Sequence, residues 1–292
     1  MIKMNMQLLI SAIVLGLSMS GVYFLLTVGL SLCYGLMRII SLDQFFYYAL
    51  GAYMVYTITS LTGSFWLGMI GAMLAVLVVA FVVERLINKR VYSKPVMFSM
   101  ILTFGVNLMG VGLIKYVWGL TPKPVASPIA GRVMILGTGV PTYRIFVIAL
   151  AIVVYFAVQY FLNKTILGTA IRAGIDDAEK VKALGINISR LFTVTFILSS
   201  VLSALAGVIH APFVMVSPEM GMTITAFAFM VVIIGGLGSI KGTMVSALIV
   251  GQVVSLGALI WAPLAEMAPF LVMIIILLIK PTGLYGSKLM HR

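Results

Sequence analysis

Long uncharged runs are the feature that most limits how this chain can fold. They cover residues 4–37, 44–83, 95–114, 145–163, 191–218, 220–240 and 242–265, and a last apolar segment ends before Lys280. A helix of about 20 residues crosses the roughly 30 Å of hydrocarbon in a bilayer, and each run has about that length or a multiple of it. The sequence therefore predicts an all-α, polytopic integral membrane protein with eight to ten transmembrane segments.

Composition supports the same class of protein. Hydrophobic residues make up 62% of the 292 residues and charged residues only 9%, with a mean hydropathy of +1.21. A soluble domain of this size could not bury so much apolar surface in one core. The runs lack the apolar and polar alternation of barrel strands. We therefore treat residues 1–292 as a single transmembrane domain with some broken or re-entrant segments, and expect the run 44–83 to divide near residues 62–64.

The net charge of +12 comes from basic residues scattered among the connecting segments. This pattern is typical of positive-inside sorting and not of a nucleic-acid-binding domain. It predicts that the segment 85–94, the loop 164–190 and the tail after residue 280 face the cytoplasm, and that the loop 115–144 lies outside. The outer loop is rich in proline and glycine, which predicts irregular surface chain.

Few residues could carry catalysis or hold a cofactor. One cysteine and two histidines are too few for a disulfide framework or a multidentate zinc site, and His210 at a span end is expected at the membrane interface. The glycine-rich stretch GGLGSIKG at 235–242 departs from a P-loop, because Gly242 follows Lys241 where Ser or Thr is needed. The sequence therefore predicts no enzyme activity, no bound metal and no cofactor for this chain.

Two interruptions of the apolar pattern are candidates for a translocation pathway. The first, within 38–44, places ionisable and polar groups at membrane depth, where they usually face an interior; an extramembrane turn is the alternative. The second is the stretch 235–242, whose glycines open the helix; close packing through small residues is the alternative. The predicted pathway residues are Ser41, Asp43, Gln44, Gly235, Gly236, Gly238 and Ser239.

A polar insert, IDDAEKVKALGINISR at 175–190, holds three of the seven acidic residues. Asp176 or Asp177 is expected to cap a two-turn helix over 178–184, and Gly185 is expected to end it. Ala178, Val181 and Leu184 recur every three residues and predict an apolar ridge that docks on a partner. An amphipathic linker lying on lipid headgroups is the alternative.

Three segments resemble the bacterial ABC importer permeases of the branched-chain amino acid family. They are GTAIRAGIDDAEKVKALGINISRLFTVTF, AFAFMVVIIGGLGSIKGTMVSALIVG and KPTGLYG, at 168–196, 226–251 and 280–286. The likeness runs from about residue 29 to 286 with the motifs in the family's order, and the length resembles the smaller of two paired permeases. Where the family commonly has an Asn-Phe-Ala-His-Gly-like stretch this chain reads SLDQFF, and Lys241 stands where proline is common.

This resemblance implies an importer subunit in the bacterial cytoplasmic (inner) membrane that moves branched-chain or related hydrophobic amino acids, with ATP bound by partner subunits. The implied partners are a second homologous permease, two cytoplasmic ATPase subunits and an extracytoplasmic solute-binding protein. The implied coupling residues are Asp176, Asp177, Ala178, Glu179, Val181, Leu184, Gly185 and Ile186. A permease for urea or short amides and an ion-gradient-driven secondary transporter are the alternatives; the latter needs ionisable groups in the membrane, for which Asp43, Glu219 and Glu266 are candidates.

Overall fold

Helices make up most of the chain. The computed structural model describes residues 6–90, 92 and 94–286, without the side chains of Asp176 and Ala178. In chain order the elements are α1 (Met6–Met37), α2 (Gln44–Thr62), α3 (Phe65–Leu86), a 3-10 turn (Asn88–Arg90), α4 (Val96–Trp118), β1 (Arg132–Ile135), β2 (Thr138–Pro141), α5 (Thr142–Lys164), α6 (Ile166–Ala183), α7 (Ile188–His210), α8 (Met220–Gly235), α9 (Ile240–Ile260) and α10 (Leu264–Ile279).

Within the described residues, six helical segments are long and apolar enough to cross a membrane: α1, α3 with its 3-10 turn, α4, α5, α7 and α9. Shorter apolar helices are Ile166–Ile175, α8 and α10. The expected division of the run 44–83 is confirmed, because Gly63 has φ 72° and its N–H bonds Thr59 O at 2.8 Å, which ends α2. The predicted polytopic, all-α architecture is confirmed.

The bundle has two ends that its contacts define. At the hairpin end, the Gln7 side chain donates to Gly137 O at 3.4 Å, Trp118 Nε1 donates to Thr57 Oγ1 at 2.7 Å, and Lys123 pairs with Val216. At the α6 end, α1 finishes beside the connection between α8 and α9. Helices α1, α3, α5, α8 and α10 therefore run from the hairpin end to the α6 end, and α2, α4, α7 and α9 run back.

Helix α1 forms the centre of the bundle, where residues 20–33 are all buried and pack against α5, α7, α8 and α9. Small residues permit this close packing, as they do in other membrane bundles. A Cβ at Gly29 would lie 2.8 Å from Ser199 O, and a Cβ at Gly51 would lie 2.5 Å from Ala204 O. By contrast, α3, α4 and α5 expose long apolar faces, as expected of helices that contact lipid.

The structure corrects two expectations at the hairpin end. The loop 115–144 is not irregular throughout, because β1 and β2 pair as an antiparallel hairpin with Arg132 opposite Pro141. His210 is buried, and its Nδ1 is hydrogen-bonded to the Tyr48 hydroxyl, so the side chain does not reach out to an interface. The tyrosine supplies a polar partner for one ring nitrogen of the buried imidazole, while Nε2 has no hydrogen-bond partner among the described residues.

Candidate functional site

The first interruption is a broken stretch of backbone, residues 38–43, between α1 and α2. Thr103 of α4 meets two of its backbone groups: Thr103 Oγ1 accepts the Leu42 N–H and lies within hydrogen-bond distance of Ile40 O, both at 3.2 Å. Ser41 and Asp43 are buried. Non-helical backbone inside a membrane bundle needs partners from protein or from a water-filled cavity, and α4 supplies two such bonds here.

A buried polar cluster, formed by Asp43, Glu84, Asn88, Tyr92 and Thr193, lies beside this break. The Asn88 amide donates to Asp43 Oδ2 at 3.1 Å, and Glu84 Oε1 accepts from Thr193 Oγ1 at 3.0 Å and from the Tyr92 hydroxyl. Both carboxyl groups are fully buried. In the part of the chain that the structure describes, neither forms an ion pair, and Asp43 Oδ1 and Glu84 Oε2 have no hydrogen-bond partner. Buried carboxyl groups are costly, so the cluster is a functional candidate.

Gln44 joins the broken stretch to α7. Its Oε1 accepts from Ser203 Oγ at 2.9 Å, and its Nε2 lies 3.5 Å from Ser200 Oγ. The predicted pathway residues Ser41, Asp43 and Gln44 are therefore buried together in the bundle, with Asp43 bonded to the 3-10 turn after α3 and Gln44 bonded to α7.

The second interruption is the turn 236–239 between α8 and α9. Gly236 and Gly238 have φ 91° and 82°, a left-handed backbone that glycine adopts without strain. Ser239 Oγ accepts the Gly242 N–H at 3.1 Å and caps α9. A Cβ on Gly238 would lie 3.1 Å from Gly35 Cα, so the turn packs directly on the last residues of α1. This geometry favours close packing; the pathway role of the turn stays a prediction.

The segment 280–286 closes over the same turn. The N–H groups of Leu284 and Tyr285 donate to Ile234 O at 2.8 Å and Gly235 O at 3.1 Å, the last carbonyls of α8. A Cβ on Gly236 would lie 2.7 Å from Gly286 Cα. The terminal motif and the glycine turn, which the sequence presents as separate signatures, therefore form one structural unit.

Asp177 starts a short final helix inside α6. Its backbone is extended (φ −159°, ψ 98°), and its Oδ1 accepts the N–H groups of Glu179 and Lys180, each at 3.1 Å. The bond from the Lys180 backbone first, and then the Lys180 ammonium 3.1 Å from Asp177 Oδ2, hold the pKa of Asp177 below its usual range. Gly185 (φ 81°) bonds Lys182 O, and the Ile186 N–H bonds Val181 O, which is a Schellman ending. The predicted cap and stop are confirmed, and the extended backbone of Asp177 separates this short helix from the preceding helix Ile166–Ile175.

The predicted apolar ridge on this helix is wrong in one residue. Val181 is only 3% exposed and belongs to the chain's own core, whereas Leu184 is 79% exposed. The Ala178 side chain lies outside the described residues, as does that of Asp176. The face available to a partner is therefore Leu184 with Ile186, which is also exposed.

Replacing Asp177 by alanine is expected to loosen the short helix. The substitution removes both side-chain bonds to the first N–H groups and the ion pair with Lys180, so trypsin should cleave the purified protein after the exposed Lys180 and Lys182 severalfold faster. Since the folded pKa is lowered, this stabilisation is present above about pH 3.9, the usual Asp value, and is lost as the pH falls through the folded value. Glu179→Ala, which removes an exposed carboxylate from the same helix, is the control. Equal cleavage of the two variants would show that the cap is not needed.

Sequence reasoning missed most of the buried polar cluster. Glu84 and Asn88 stand in the basic segment that ends α3 and read as loop residues, and Thr193 reads as one more position of an apolar span. The available signal was Glu84 itself, the one acidic residue that follows an uncharged run of 40 positions. Of the other two candidates for ion coupling, Glu219 is exposed and paired with Lys115 at 2.8 Å, which lowers its pKa, and Glu266 is exposed in the first turn of α10.

Comparisons with known proteins agree with this architecture. Residues 12–279 match the family described as "Branched-chain amino acid transport system / permease component". The high-affinity branched-chain amino acid transport permease LivH of Salmonella typhimurium is 24% identical over 287 residues, covering 93% of each chain. BraD of Pseudomonas aeruginosa, named for the same transport, is 24% identical over 93% of this chain and 94% of its own. The fructose import permease FrcC of Rhizobium meliloti is 36% identical over 42% of this chain and 35% of its own.

No solved structure matches the chain. The family match covers far more than half of its length, and the helices long enough for membrane crossing fit a permease. The chain belongs to the family of branched-chain amino acid transport permease components and is a multi-pass membrane protein.

Proposed function

We propose that this chain is the permease subunit of an ATP-driven importer that moves branched-chain or related hydrophobic amino acids across the bacterial cytoplasmic membrane. The observation that carries the proposal is the family match over residues 12–279. Two relatives that match over more than nine-tenths of this chain are named for the same transport. In this proposal the chain provides the passage and binds no cofactor, while partner subunits bind and hydrolyse ATP.

The proposed partners are a second homologous permease, two cytoplasmic ATPase subunits and an extracytoplasmic solute-binding protein. The end of α6 supports the ATPase contact, because Leu184 presents a large apolar side chain at the surface next to the left-handed Gly185. A short helix is marginally stable alone, and here the buried Val181 fixes it to the bundle. Force on Leu184 and Ile186 would therefore be transmitted into α6 and not lost in a loose loop.

The proposed pathway runs beside the two interruptions. Support comes from Asp43 and Gln44, polar groups fixed inside an apolar bundle, and from the turn at Gly236 and Gly238, which packs on the end of α1. Both interruptions contact the end of α1: residues 38–43 follow it directly in the chain, and the turn at Gly238 packs on Gly35. A shift of α1 would therefore change both together.

The α6 end is proposed to face the cytoplasm, and a cysteine at Asn187 tests this. Asn187 is exposed, and the single native cysteine, Cys33, is buried, so labelling by an impermeant maleimide reports the new site. We expect no labelling of Asn187→Cys in intact cells and efficient labelling in inverted vesicles. Ala126→Cys, exposed in the loop at the hairpin end, should behave in the opposite way. Labelling of Asn187→Cys from outside would refute the orientation.

Two measurements test the proposed function together. The affinity-tagged chain, purified from its own cells, should bring ATP-binding subunits with it. Deleting its gene should abolish uptake of labelled leucine but not of fructose or a short amide. Loss of fructose or amide uptake in the deletion strain, with leucine uptake unchanged, would keep the ATP-driven importer and change its substrate. A chain that purifies alone and supports normal leucine uptake without ATP would overturn the proposal.

A secondary transporter driven by an ion gradient is the second candidate. It is favoured by the fully buried carboxyl groups of Asp43 and Glu84, which form no ion pair within the described residues. Such groups could bind and release a coupling proton. Uptake that stops on adding a protonophore while ATP remains high would support this candidate, and uptake that follows the ATP level would exclude it.

A further inference from the structure

A basic cavity of about 470 Å³ lies at the α6 end of the bundle, between the end of α3 and the start of α7. Three exposed cations, Arg85, Lys89 and Arg190, line it. Asn187 also lines it and caps α7 by accepting the Arg190 N–H at 3.1 Å, so the positive end of that helix dipole points to the same place. The cavity therefore concentrates positive charge at one point on the surface of the bundle.

Among the described residues, no acidic side chain lines this cavity. The acid closest in sequence to Arg85 is Glu84, which is fully buried and whose Oε1 accepts hydrogen bonds from Thr193 and Tyr92. Glu84 is therefore buried behind the cavity wall and, among the described residues, forms no ion pair with the three cations. Three neighbouring like charges repel one another, and an anionic ligand would relieve that repulsion.

An apolar row leads from the cavity along the outside of α3. Leu74, Val78 and Phe81 are each between 43% and 60% exposed, and with Arg85 they recur every three or four residues on one helix face. The Arg85 guanidinium lies 5.6 Å from the centroid of the Phe81 ring, which places the charge directly at the end of this row. Charge and apolar surface are therefore continuous, as a headgroup with an acyl chain requires.

We propose that this cavity binds the phosphate of an anionic phospholipid in the cytoplasmic leaflet, with an acyl chain along Leu74, Val78 and Phe81. Basic pockets between membrane helices on the cytoplasmic side bind such headgroups. Inorganic phosphate would satisfy the three cations but would leave the apolar row without a role. The proposal uses the membrane character and orientation of the chain and does not depend on what the chain transports.

Native mass spectrometry of the purified full chain in a nonionic detergent tests the proposal. We expect phosphatidylglycerol to bind at least tenfold more tightly than phosphatidylcholine. Inorganic phosphate at equal concentration and matched ionic strength should not displace it. Equal binding of the two lipids would overturn the proposal, and displacement by inorganic phosphate would assign the site to the free ion instead.

Removal of the three cations provides the matched comparison. The variant Arg85→Gln/Lys89→Gln/Arg190→Gln should weaken phosphatidylglycerol binding by roughly fivefold for each charge, on the order of 100-fold in total. The control Lys164→Gln/Arg172→Gln/Lys241→Gln removes three exposed cations from the same end of the bundle and should change binding less than twofold. Equal losses in the two variants would mean general charge attraction and no site.

A fluorescence measurement decides the question even if the triple variant fails to fold. The native Trp66, Trp118 and Trp261 lie at the hairpin ends of α3, α4 and α9, so Phe81→Trp places one reporter at the α6 end. Brominated phosphatidylglycerol, at low mole fraction in phosphatidylcholine vesicles, should quench the tryptophan fluorescence of Phe81→Trp more than that of Phe98→Trp. Phe98 is exposed at the start of α4, which is also at the α6 end of the bundle. Equal quenching at both positions would refute the site.

Discussion

Replacing Gly236 by leucine is expected to abolish uptake, because the turn between α8 and α9 has no room for a side chain. The residue has φ 91° and ψ 125°, a sparsely populated conformation that costs an L-residue about 1–3 kcal/mol. Its Cβ would also lie 2.7 Å from Gly286 Cα and 3.1 Å from Thr282 O, both backbone atoms that cannot rotate away. We expect the segment 280–286 to detach from α8, and uptake to fall below about one hundredth of the wild-type rate at equal protein level in the membrane.

Gly112→Leu provides the matched control for this prediction. Gly112 is exposed on α4, and a Cβ there would meet nothing within 4 Å. This variant should insert and transport like the wild type, because a leucine on a lipid-facing surface is tolerated. Wild-type uptake by Gly236→Leu would show that the close packing of the turn is dispensable.

Replacing Leu184 by aspartate is expected to separate the permease from its proposed ATPase subunits. Full burial of a leucine side chain contributes roughly 1.5–3 kcal/mol, so its loss should weaken the complex by about 10- to 100-fold, and a desolvated carboxylate should weaken it further. The variant permease should insert normally, lose the ATPase subunits on purification and no longer support ATP-dependent uptake. If the variant retains both the ATPase subunits and the uptake, the alternative is favoured, in which the short helix is an amphipathic linker that lies on lipid headgroups.

Two further substitutions interpret the Leu184 result. Ile166→Asp makes the same apolar-to-acidic change at a position that is 91% exposed but lies at the other end of α6, and it should leave the complex intact. Val181→Asp buries a carboxylate in the core and should destabilise the permease itself. A variant that changed both residues 181 and 184 could therefore not distinguish weaker binding of the ATPase subunits from unfolding of the permease.

The membrane architecture could be predicted from the sequence because the thickness of the hydrocarbon layer fixes the number of apolar residues that a membrane-spanning helix needs. The division at Gly63, the cap at Asp177 and the stop at Gly185 were predictable for a similar reason, since each depends on local backbone chemistry. These features need no knowledge of what packs against them.

Long-range partners could not be predicted in the same way. Three-residue spacing placed Val181 and Leu184 on one face, but only the packing of α6 shows that Val181 faces the bundle. The bond from Asn88 to Asp43 joins residues 45 positions apart, and the bond from Thr193 to Glu84 joins residues 109 apart. Periodicity within one helix carries no information about such pairs.

The contact of Leu284 and Tyr285 with the end of α8 determines when that region can reach its final structure during synthesis. Their acceptors, Ile234 and Gly235, are made about 50 residues earlier. At roughly 5–20 residues per second, the ribosome takes several seconds to add that stretch. For that time the last carbonyls of α8 lack their final partners, and α9 and α10 enter the membrane before the turn is closed. Nascent chains arrested before residue 284 should therefore be caught with an open, protease-sensitive turn.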